Sequence, residues 1–160
     1  ITTLQKQLDI LEAHGIVSLD QRPLLVPFLE PMRQFFASPL AARLLQAEQA
    51  GRLYREMPFA ITVPAAGINT TEGRVAEGDK VLVQGMIDVW FREKNRAVLL
   101  DFKSDSLPGT AGQREAEFRK RYRVQIEYYA RAIALSTGLP VDECFIYSLR
   151  HAQLITCGYS

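Results

Sequence analysis

Two strand-like runs separated by a short polar segment constrain the fold more than any other feature of the sequence. Val81–Phe91 and Ala97–Lys103 are rich in β-branched and large apolar residues, and only five residues, all charged or polar, separate them. Such runs joined by a short turn predict a β-hairpin. A two-residue turn at Lys94 and Asn95 fixes the register of the strands, and thereby which side chains face one another.

This register brings acidic side chains together on one face of the hairpin. Asp88 lies opposite Asp101, Lys103 projects to the same face, and Met86 lies opposite the lysine. Directly opposed residues have Cβ atoms about 4.5–5.5 Å apart. The reverse face supports the register independently, because all of its members are apolar: Ile87, Val89, Phe91, Val98, Leu100 and Phe102.

Two facing carboxylates repel each other unless a proton or a cation lies between them. Mg²⁺ or Mn²⁺ prefers carboxylate and carbonyl oxygens and keeps water molecules that can become nucleophiles. Lys103 would then stabilise the charge that develops during attack on a phosphodiester. The alternative is an Asp–Lys ion pair at a sheet edge with no cation, and the spacing alone does not decide between the two.

The remaining pattern predicts a single α/β domain over residues 1–160, with a mixed β-sheet flanked by helices. Residues 1–51 form a helical region, and residues 52–160 hold the sheet. We expect helices at Thr3–His14, from Met32 onward, from Pro39 to Gly51 with Ser38 as its cap, and at Gln113–Ser136. Further strands are expected at Leu53–Val63, Val141–Leu149 and Gln153–Tyr159, with a loop over Pro64–Gly78.

Composition excludes several classes of protein. The formal net charge of +1 gives no global attraction to nucleic acid, so any such contact must come from local clustering. Two cysteines and two histidines allow neither a disulfide scaffold nor a zinc site of usual spacing. No apolar run reaches the roughly 18 residues that span a bilayer. We expect a protein of a reducing compartment, the cytoplasm.

Three motifs resemble the PD-(D/E)XK nuclease superfamily. They are Gly85-Met86-Ile87-Asp88-Val89, then Leu99-Leu100-Asp101-Phe102-Lys103-Ser104-Asp105, and then Gln125 with Tyr129, which is similar to the Gln-x-x-x-Tyr motif of the RecB-like branch. The resemblance implies a restriction-endonuclease-like core in which Asp88 and Asp101 bind the catalytic metal and Lys103 assists hydrolysis. The backbone carbonyl of Phe102 is an expected further ligand.

Two upstream segments extend the resemblance to nearly the whole chain. Arg55-Glu56-Met57-Pro58-Phe59 and Phe35-Phe36-Ala37-Ser38-Pro39-Leu40 are similar to segments of the AddA family of bacterial helicase-nucleases. The resemblance implies a Mg²⁺-dependent exonuclease, with Mn²⁺ as a possible substitute, that degrades unwound, single-stranded DNA during double-strand-break repair by recombination. It also implies that the chain is a C-terminal fragment that follows a helicase motor, where ATP would bind, and that the partner is a second nuclease-bearing subunit.

Several residues are candidates for DNA contacts. Gln125 and Tyr129 share one helix face because they are four residues apart. Arg121 belongs to a basic segment that could contact phosphates, although interspersed glutamates fit a solvated helix equally well. Glu56 could supply an accessory carboxylate, or it could be a surface acid paired with Arg74.

The chain departs from the RecB-like pattern in one respect. Those nucleases take a further metal ligand from a histidine on an upstream helix, and Ile1 lies after the expected position of that helix. We interpret His14 as a residue at a helix C-terminus and not as that ligand. An iron–sulfur cluster, found in related families, would need four cysteines, so none is expected.

Two other functions are alternatives to a nuclease domain of a helicase-nuclease. One is a catalytically inactive nuclease-like module that binds DNA or acts as a scaffold, and the other is an independent restriction or repair nuclease.

Overall fold

The chain folds into a mixed five-stranded sheet in which spatial order follows sequence order. The computed structural model describes residues 2–65 and 78–158. The strands are β1 (Leu53–Pro64), β2 (Lys80–Glu93), β3 (Arg96–Lys103), β4 (Val141–Ser148) and β5 (Gln153–Cys157). Among the described strands, only β3 and β4 pair in parallel, and the other neighbours are antiparallel. The predicted α/β class with a mixed sheet is confirmed.

Five α-helices and one 3₁₀ turn complete the described part of the chain. They are α1 (Thr2–Ala13), α2 (Arg22–Leu25), the 3₁₀ turn Val26–Phe28, α3 (Leu29–Phe36), α4 (Pro39–Gln49) and α5 (Ala111–Thr137). The Ser38 hydroxyl accepts a hydrogen bond from the Ala41 amide and caps α4, as predicted. Helix α5 provides the crossover that a parallel strand pair requires. It begins two residues earlier than predicted because Thr110 and Gln113 form a capping box.

Helix α3 begins before Met32, the start that the sequence predicted from the prolines that precede it. The sequence predicted no continuous helix across the segment with Pro23, Pro27 and Pro31 until Met32, whereas α3 starts at Leu29 and contains Pro31. Pro31 lies in the first turn, where the backbone N–H has no partner within the helix, so proline costs little there.

Two apolar clusters cover opposite faces of the sheet. One contains the buried residues of α5, including Phe118, Ile126 and Ile133, packed on Leu99 and Ile146. The other contains the inner residues of α3 and α4 with one set of strand residues: Phe35, Leu40, Ala41, Ala47, Val89, Phe91, Val98, Leu100, Phe145 and Tyr147. The sheet is thus the middle layer, and β3 lies at its centre.

An arginine bridge fastens α4 to the sheet. The guanidinium of Arg43 donates to both oxygens of Glu93 on β2, at 2.8 and 2.7 Å, and to both oxygens of Glu143 on β4, at 2.9 and 3.0 Å. All three side chains are partly buried. Hydrogen bonds from Arg43 are the main cause that lowers the pKa of Glu93 below its ordinary value of 4.5.

Replacing Arg43 by Met is expected to lower the free energy of unfolding by about 1–2 kcal/mol at pH 7, because two partly buried carboxylates lose their shared donor. A lowered carboxyl pKa stabilises the fold above the unfolded value and loses its effect as pH falls. The difference in the free energy of unfolding between the wild type and Arg43→Met should therefore shrink below about pH 4.5. Urea denaturation measures this difference, and Arg33→Met is the matched control. Arg33 makes an exposed i,i+3 pair with Glu30, and exposed pairs of this kind contribute little to stability. Equal losses in both variants would contradict the assignment.

Two predictions concern parts of the chain outside the described residues. Most of the predicted loop over Pro64–Gly78 lies there, as does Arg74, which was one alternative partner of Glu56. Strand β5 ends at Cys157, short of the predicted end at Tyr159, which is also outside the described residues. Within residues 2–65 and 78–158, no helix has the length and apolar content needed to cross a membrane.

Candidate metal centre

The hairpin that carries the predicted acids forms as the sequence indicated. The turn occupies Lys94 and Asn95, and pairing runs from Glu93–Arg96 to Val89–Leu100. The register is the predicted one. The ladder stops there, however, so Asp88 and Asp101 do not form the regular cross-strand pair that the sequence predicted, and Met86 does not pair with Lys103.

Asp88 takes a different position, in the gap where β2 leaves β3. Its Oδ2 accepts a hydrogen bond from the Phe102 amide at 2.9 Å, so a carboxylate occupies the place of a ladder carbonyl. A strand residue directs its N–H and C=O to the same side. The Phe102 carbonyl therefore faces the same gap as Asp88. The structure thus brings together three predicted metal ligands, Asp88, Asp101 and the Phe102 carbonyl.

The irregularity at Asp88 also reverses the faces of two strands. Ile87 belongs to the cluster under α5, whereas Val89, two residues later, belongs to the cluster under α3 and α4. Regular strands place residues two apart on the same face. The predicted apolar set is therefore wrong for Ile87. Glu56, which lies opposite Asp88 on β1 and is also absent from the ladder, has a φ of +48°.

Asp101 is a buried carboxylate whose close partner among the described residues is Lys103. Its exposed fraction is 1%, and neither carboxylate oxygen accepts a hydrogen bond of normal geometry from a described residue. Lys103 Nζ lies 2.6 Å from Oδ2, with the lysine side chain 14% exposed. An ion pair is present, as the alternative interpretation required, but it lies on the central strand and not at a sheet edge.

Burial disfavours the charged form of this acid. Desolvation raises the pKa of Asp101 to about 6, the nearby Lys103 opposes the rise, and the negative charge of Asp88 adds to it. The negative charge of Asp88 thus contributes to the rise in the pKa of Asp101, although the two residues are not a ladder pair. A cation bound between them would relieve both desolvation and repulsion.

These groups fit a magnesium-type ion. Mg²⁺ is commonly held by one or two carboxylates and keeps several water ligands. The oxygens of Asp101, with Asp88 and the Phe102 carbonyl, meet that requirement. Within the described ranges, no group of three or more His, Cys, Asp or Glu side chains is close enough to hold a metal by itself. The remaining coordination would have to come from water, substrate or further protein groups.

Glu56 borders the same region without joining a three-carboxylate cluster. With Asp88 it lines an apolar cavity of about 460 Å³, whose walls include Phe35, Phe36 and Phe102. Its side chain is exposed. An accessory role for Glu56 stays a prediction.

Gln125 and Tyr129 lie on α5 and contact each other. The Gln125 amide donates to the Tyr129 hydroxyl at 2.6 Å, and Tyr129 is only 7% exposed. Burial raises the pKa of Tyr129, and the charges of Asp101 and Asp88 raise it further, while the Gln125 hydrogen bond opposes the rise. The charges of both acids thus reach Tyr129, and this tyrosine is more buried than a freely exposed DNA contact would be.

The basic segment of α5 is largely matched by acids. Arg121 is 44% exposed and lies 3.4 Å from Glu117 and 3.7 Å from Asp105. Neighbouring arginines pair in the same way, Arg119 with Glu115 and Arg123 with Glu127. Phosphate binding by Arg121 would have to displace these exposed, weak pairs.

Two residues near Lys103 were not predicted from the sequence. The Lys103 ammonium lies 4.5 Å from the centre of the Tyr122 ring, and the Tyr122 hydroxyl donates to Asp105 at 2.5 Å. A signal was present in the sequence, because Tyr122, Gln125 and Tyr129 are spaced three and four residues apart and so share a helix face.

Comparison with curated proteins finds bacterial relatives that are ATP-dependent helicase/nuclease subunits of the AddA type. The protein of Clostridium novyi is 40% identical over 119 residues, that of Geobacillus thermodenitrificans 38% over 118, and that of Clostridium acetobutylicum 37% over 114. These proteins are homologues of the chain. The alignments cover 74%, 71% and 71% of the chain, respectively, but in each case only 9% of the relative.

The homology to helicase/nuclease proteins confirms the predicted resemblance to that group. No protein-family model matches the chain. Membership of the PD-(D/E)XK superfamily therefore stays a prediction, as do the roles of the individual site residues.

Proposed function

We propose that the chain is a metal-dependent DNA nuclease domain with a restriction-endonuclease-like, PD-(D/E)XK core over residues 1–160. The observation that carries the proposal is the buried Asp101 carboxylate, whose close partner among the described residues is the Lys103 ammonium at 2.6 Å and whose charge is further disfavoured by Asp88. A buried acid with a raised pKa is costly for stability and is typical of sites that bind a cation or act on a substrate. The names of the homologous helicase/nuclease proteins support the same activity.

In this proposal Asp88, Asp101 and the Phe102 carbonyl hold Mg²⁺ or Mn²⁺. When bound, the cation supplies Lewis-acid activation of water and of the phosphodiester. Asp88 is fixed for this role by the Phe102 amide, which restrains its carboxylate. The Lys103 ammonium, 14% exposed and on the same strand as Asp101, stabilises negative charge that develops on the phosphate oxygens.

Gln125, Tyr129 and Arg121 are the proposed DNA contacts. The amide and phenol face the acids from α5, and Arg121 lies at the more exposed part of the same helix. The substrate is DNA, in single-stranded form if a helicase motor delivers it, and the reaction is exonucleolytic degradation during recombinational repair of double-strand breaks. The proposal also includes a cytoplasmic location, a motor with its ATP in the same polypeptide, and a partner protein that bears a second nuclease.

A second candidate is an inactive nuclease-like module that binds DNA or serves as a scaffold. The 2.6 Å distance between Lys103 and Asp101 favours it, because the ammonium partly neutralises the acid without any cation. The two candidates differ in metal binding. A nuclease site takes up Mn²⁺ at Asp88 and Asp101, whereas a module stabilised by its own ion pair has no need of a cation.

The direct test is a cleavage assay of the full-length protein with end-labelled single- and double-stranded DNA. We expect degradation that requires Mg²⁺ or Mn²⁺, stops on addition of EDTA and disappears in the Asp88→Asn variant. Cleavage that continues in EDTA, or at the wild-type rate in Asp88→Asn, would contradict the proposal. DNA binding without cleavage under any divalent cation would favour the inactive module.

A further inference from the structure

Lys103 has a second partner besides Asp101. Its ammonium lies over the Tyr122 ring, 4.5 Å from the ring centre. A cation over an aromatic face is attracted most strongly where both groups are shielded from water. With only 14% of its side chain exposed, Lys103 is close to that desolvated case.

The ring itself is held from two sides. Its hydroxyl donates to Asp105 Oδ2 at 2.5 Å, and Phe118 stacks on it with ring centres 5.9 Å apart and planes inclined by 24°. Phe118 is fully buried. The Tyr122 ring is therefore fixed in place and cannot move with the lysine side chain. In this contact it is the ring that restrains the position of the Lys103 ammonium.

A bound cation would decide whether Asp101 or the Tyr122 ring holds the Lys103 ammonium. In the ion pair the ammonium lies at the Asp101 oxygens, which are the proposed metal ligands. A divalent cation on those oxygens repels the ammonium, whose four-carbon stem is flexible. The Tyr122 ring is not one of the proposed metal ligands, so a bound cation does not compete with Lys103 for it. The ring can therefore keep the Lys103 ammonium within the site.

We propose that Tyr122 is a positioning residue that holds the Lys103 ammonium beside the reacting phosphate, with Asp105 and Phe118 fixing the ring. This inference rests on the proposed nuclease function. It assigns no contact between Tyr122 and the DNA or the metal. Its specific claim is that the aromatic face, and not the hydroxyl group, is what Lys103 needs.

The test compares Tyr122→Leu and Tyr122→Phe in the full-length protein, with Tyr128→Leu as the matched control on the same helix. We expect Tyr122→Leu to lower kcat for DNA cleavage by about 10–100-fold, with little change in KM for DNA or in Mn²⁺ affinity. Tyr122→Phe loses the hydrogen bond to Asp105 but keeps the ring and its stacking on Phe118, so it should retain most of the wild-type kcat. Equal losses in the Leu and Phe variants, or an unchanged kcat in Tyr122→Leu, would overturn the proposal.

An NMR measurement on the 160-residue chain separates this inference from the nuclease proposal. Protons on the carbon next to the Lys103 ammonium should be shifted upfield by the ring in the wild type and in Tyr122→Phe, and should return to ordinary values in Tyr122→Leu. If those shifts are the same in all three proteins, the lysine is not held by the ring, whatever the activity. If the shifts behave as expected but the wild type cleaves no DNA, the positioning contact exists and the nuclease proposal alone fails.

Discussion

Replacing Asp101 by Asn is expected to lower the rate of metal-dependent DNA cleavage by at least about 10³-fold, because it removes a charged metal ligand from the centre of the site. The substitution keeps the size and shape of the side chain, so the buried position stays filled. Asp101 is the one Asp or Glu among the described residues that is buried, so no other described acid can take its place. A quenched-flow or gel assay with labelled DNA and Mg²⁺ measures the effect.

The matched control is Asp142→Asn. Asp142 lies on β4 and makes only an exposed, 3.6 Å contact with Arg96, so its neutralisation should leave cleavage within about twofold of the wild type. DNA binding by Asp101→Asn should persist, because the variant removes a negative charge from the substrate site. If Asp101→Asn cleaved DNA as fast as Asp142→Asn, Asp101 would have no catalytic role.

The same substitution is expected to stabilise the metal-free chain at pH 7, by on the order of 3 kcal/mol. Burial raises the folded-state pKa of Asp101 from 3.8 to about 6, and each pKa unit corresponds to about 1.4 kcal/mol. Because the folded pKa is the higher one, the folded state binds more protons between these values. Stability is therefore lost as pH rises from about 4 to about 6, and the full penalty applies above that range.

Denaturant unfolding of wild type and Asp101→Asn at pH 7 and at pH 4, in EDTA, measures this penalty. The advantage of the asparagine variant should be largest at pH 7 and should nearly vanish at pH 4. Saturating Mn²⁺ should raise the stability of the wild type only, since a ligand that binds the folded state stabilises it by mass action. A wild type that is more stable than the variant at pH 7 in EDTA would show that the Lys103 ion pair outweighs the cost of burial.

Local patterns were sufficient to predict the hairpin. Two apolar runs on either side of the polar segment around Lys94 and Asn95 indicated a turn and a register that the structure reproduces as far as Val89–Leu100. The same is true of α4, where Ser38 followed by a proline marked the helix start. Where elements are regular, side-chain period and capping residues carry the necessary information.

The site itself departs from regularity, which is why the sequence predicted it only in part. The prediction assumed that strand alternation continued through Asp88, whereas β2 reverses its faces there and the Asp88 carboxylate replaces a ladder acceptor. No glycine or proline marks position 88, and the positive φ of Glu56 falls on a residue type that gives no warning of it. Tertiary pairing, and not local preference, determines this geometry.

The surroundings of Lys103 could have been predicted only in outline. Helical spacing places Tyr122 on the same face as Gln125 and Tyr129, but it does not tell which of these aromatic rings meets the lysine. That contact depends on how α5 crosses the sheet between β3 and β4. The burial of Tyr129, likewise, results from this packing and not from its neighbours in sequence.

The most direct test of the central claim is paramagnetic NMR with Mn²⁺ on the isotopically labelled chain, because it detects weak binding as well as strong. If Asp88 and Asp101 hold a divalent cation, low Mn²⁺ concentrations should broaden the amide signals of residues 87–89 and 100–103 first, and Asp88→Asn should abolish this selectivity. Broadening that spreads over the exposed acids of α5 equally, or that is unchanged in Asp88→Asn, would contradict the assignment of a metal centre.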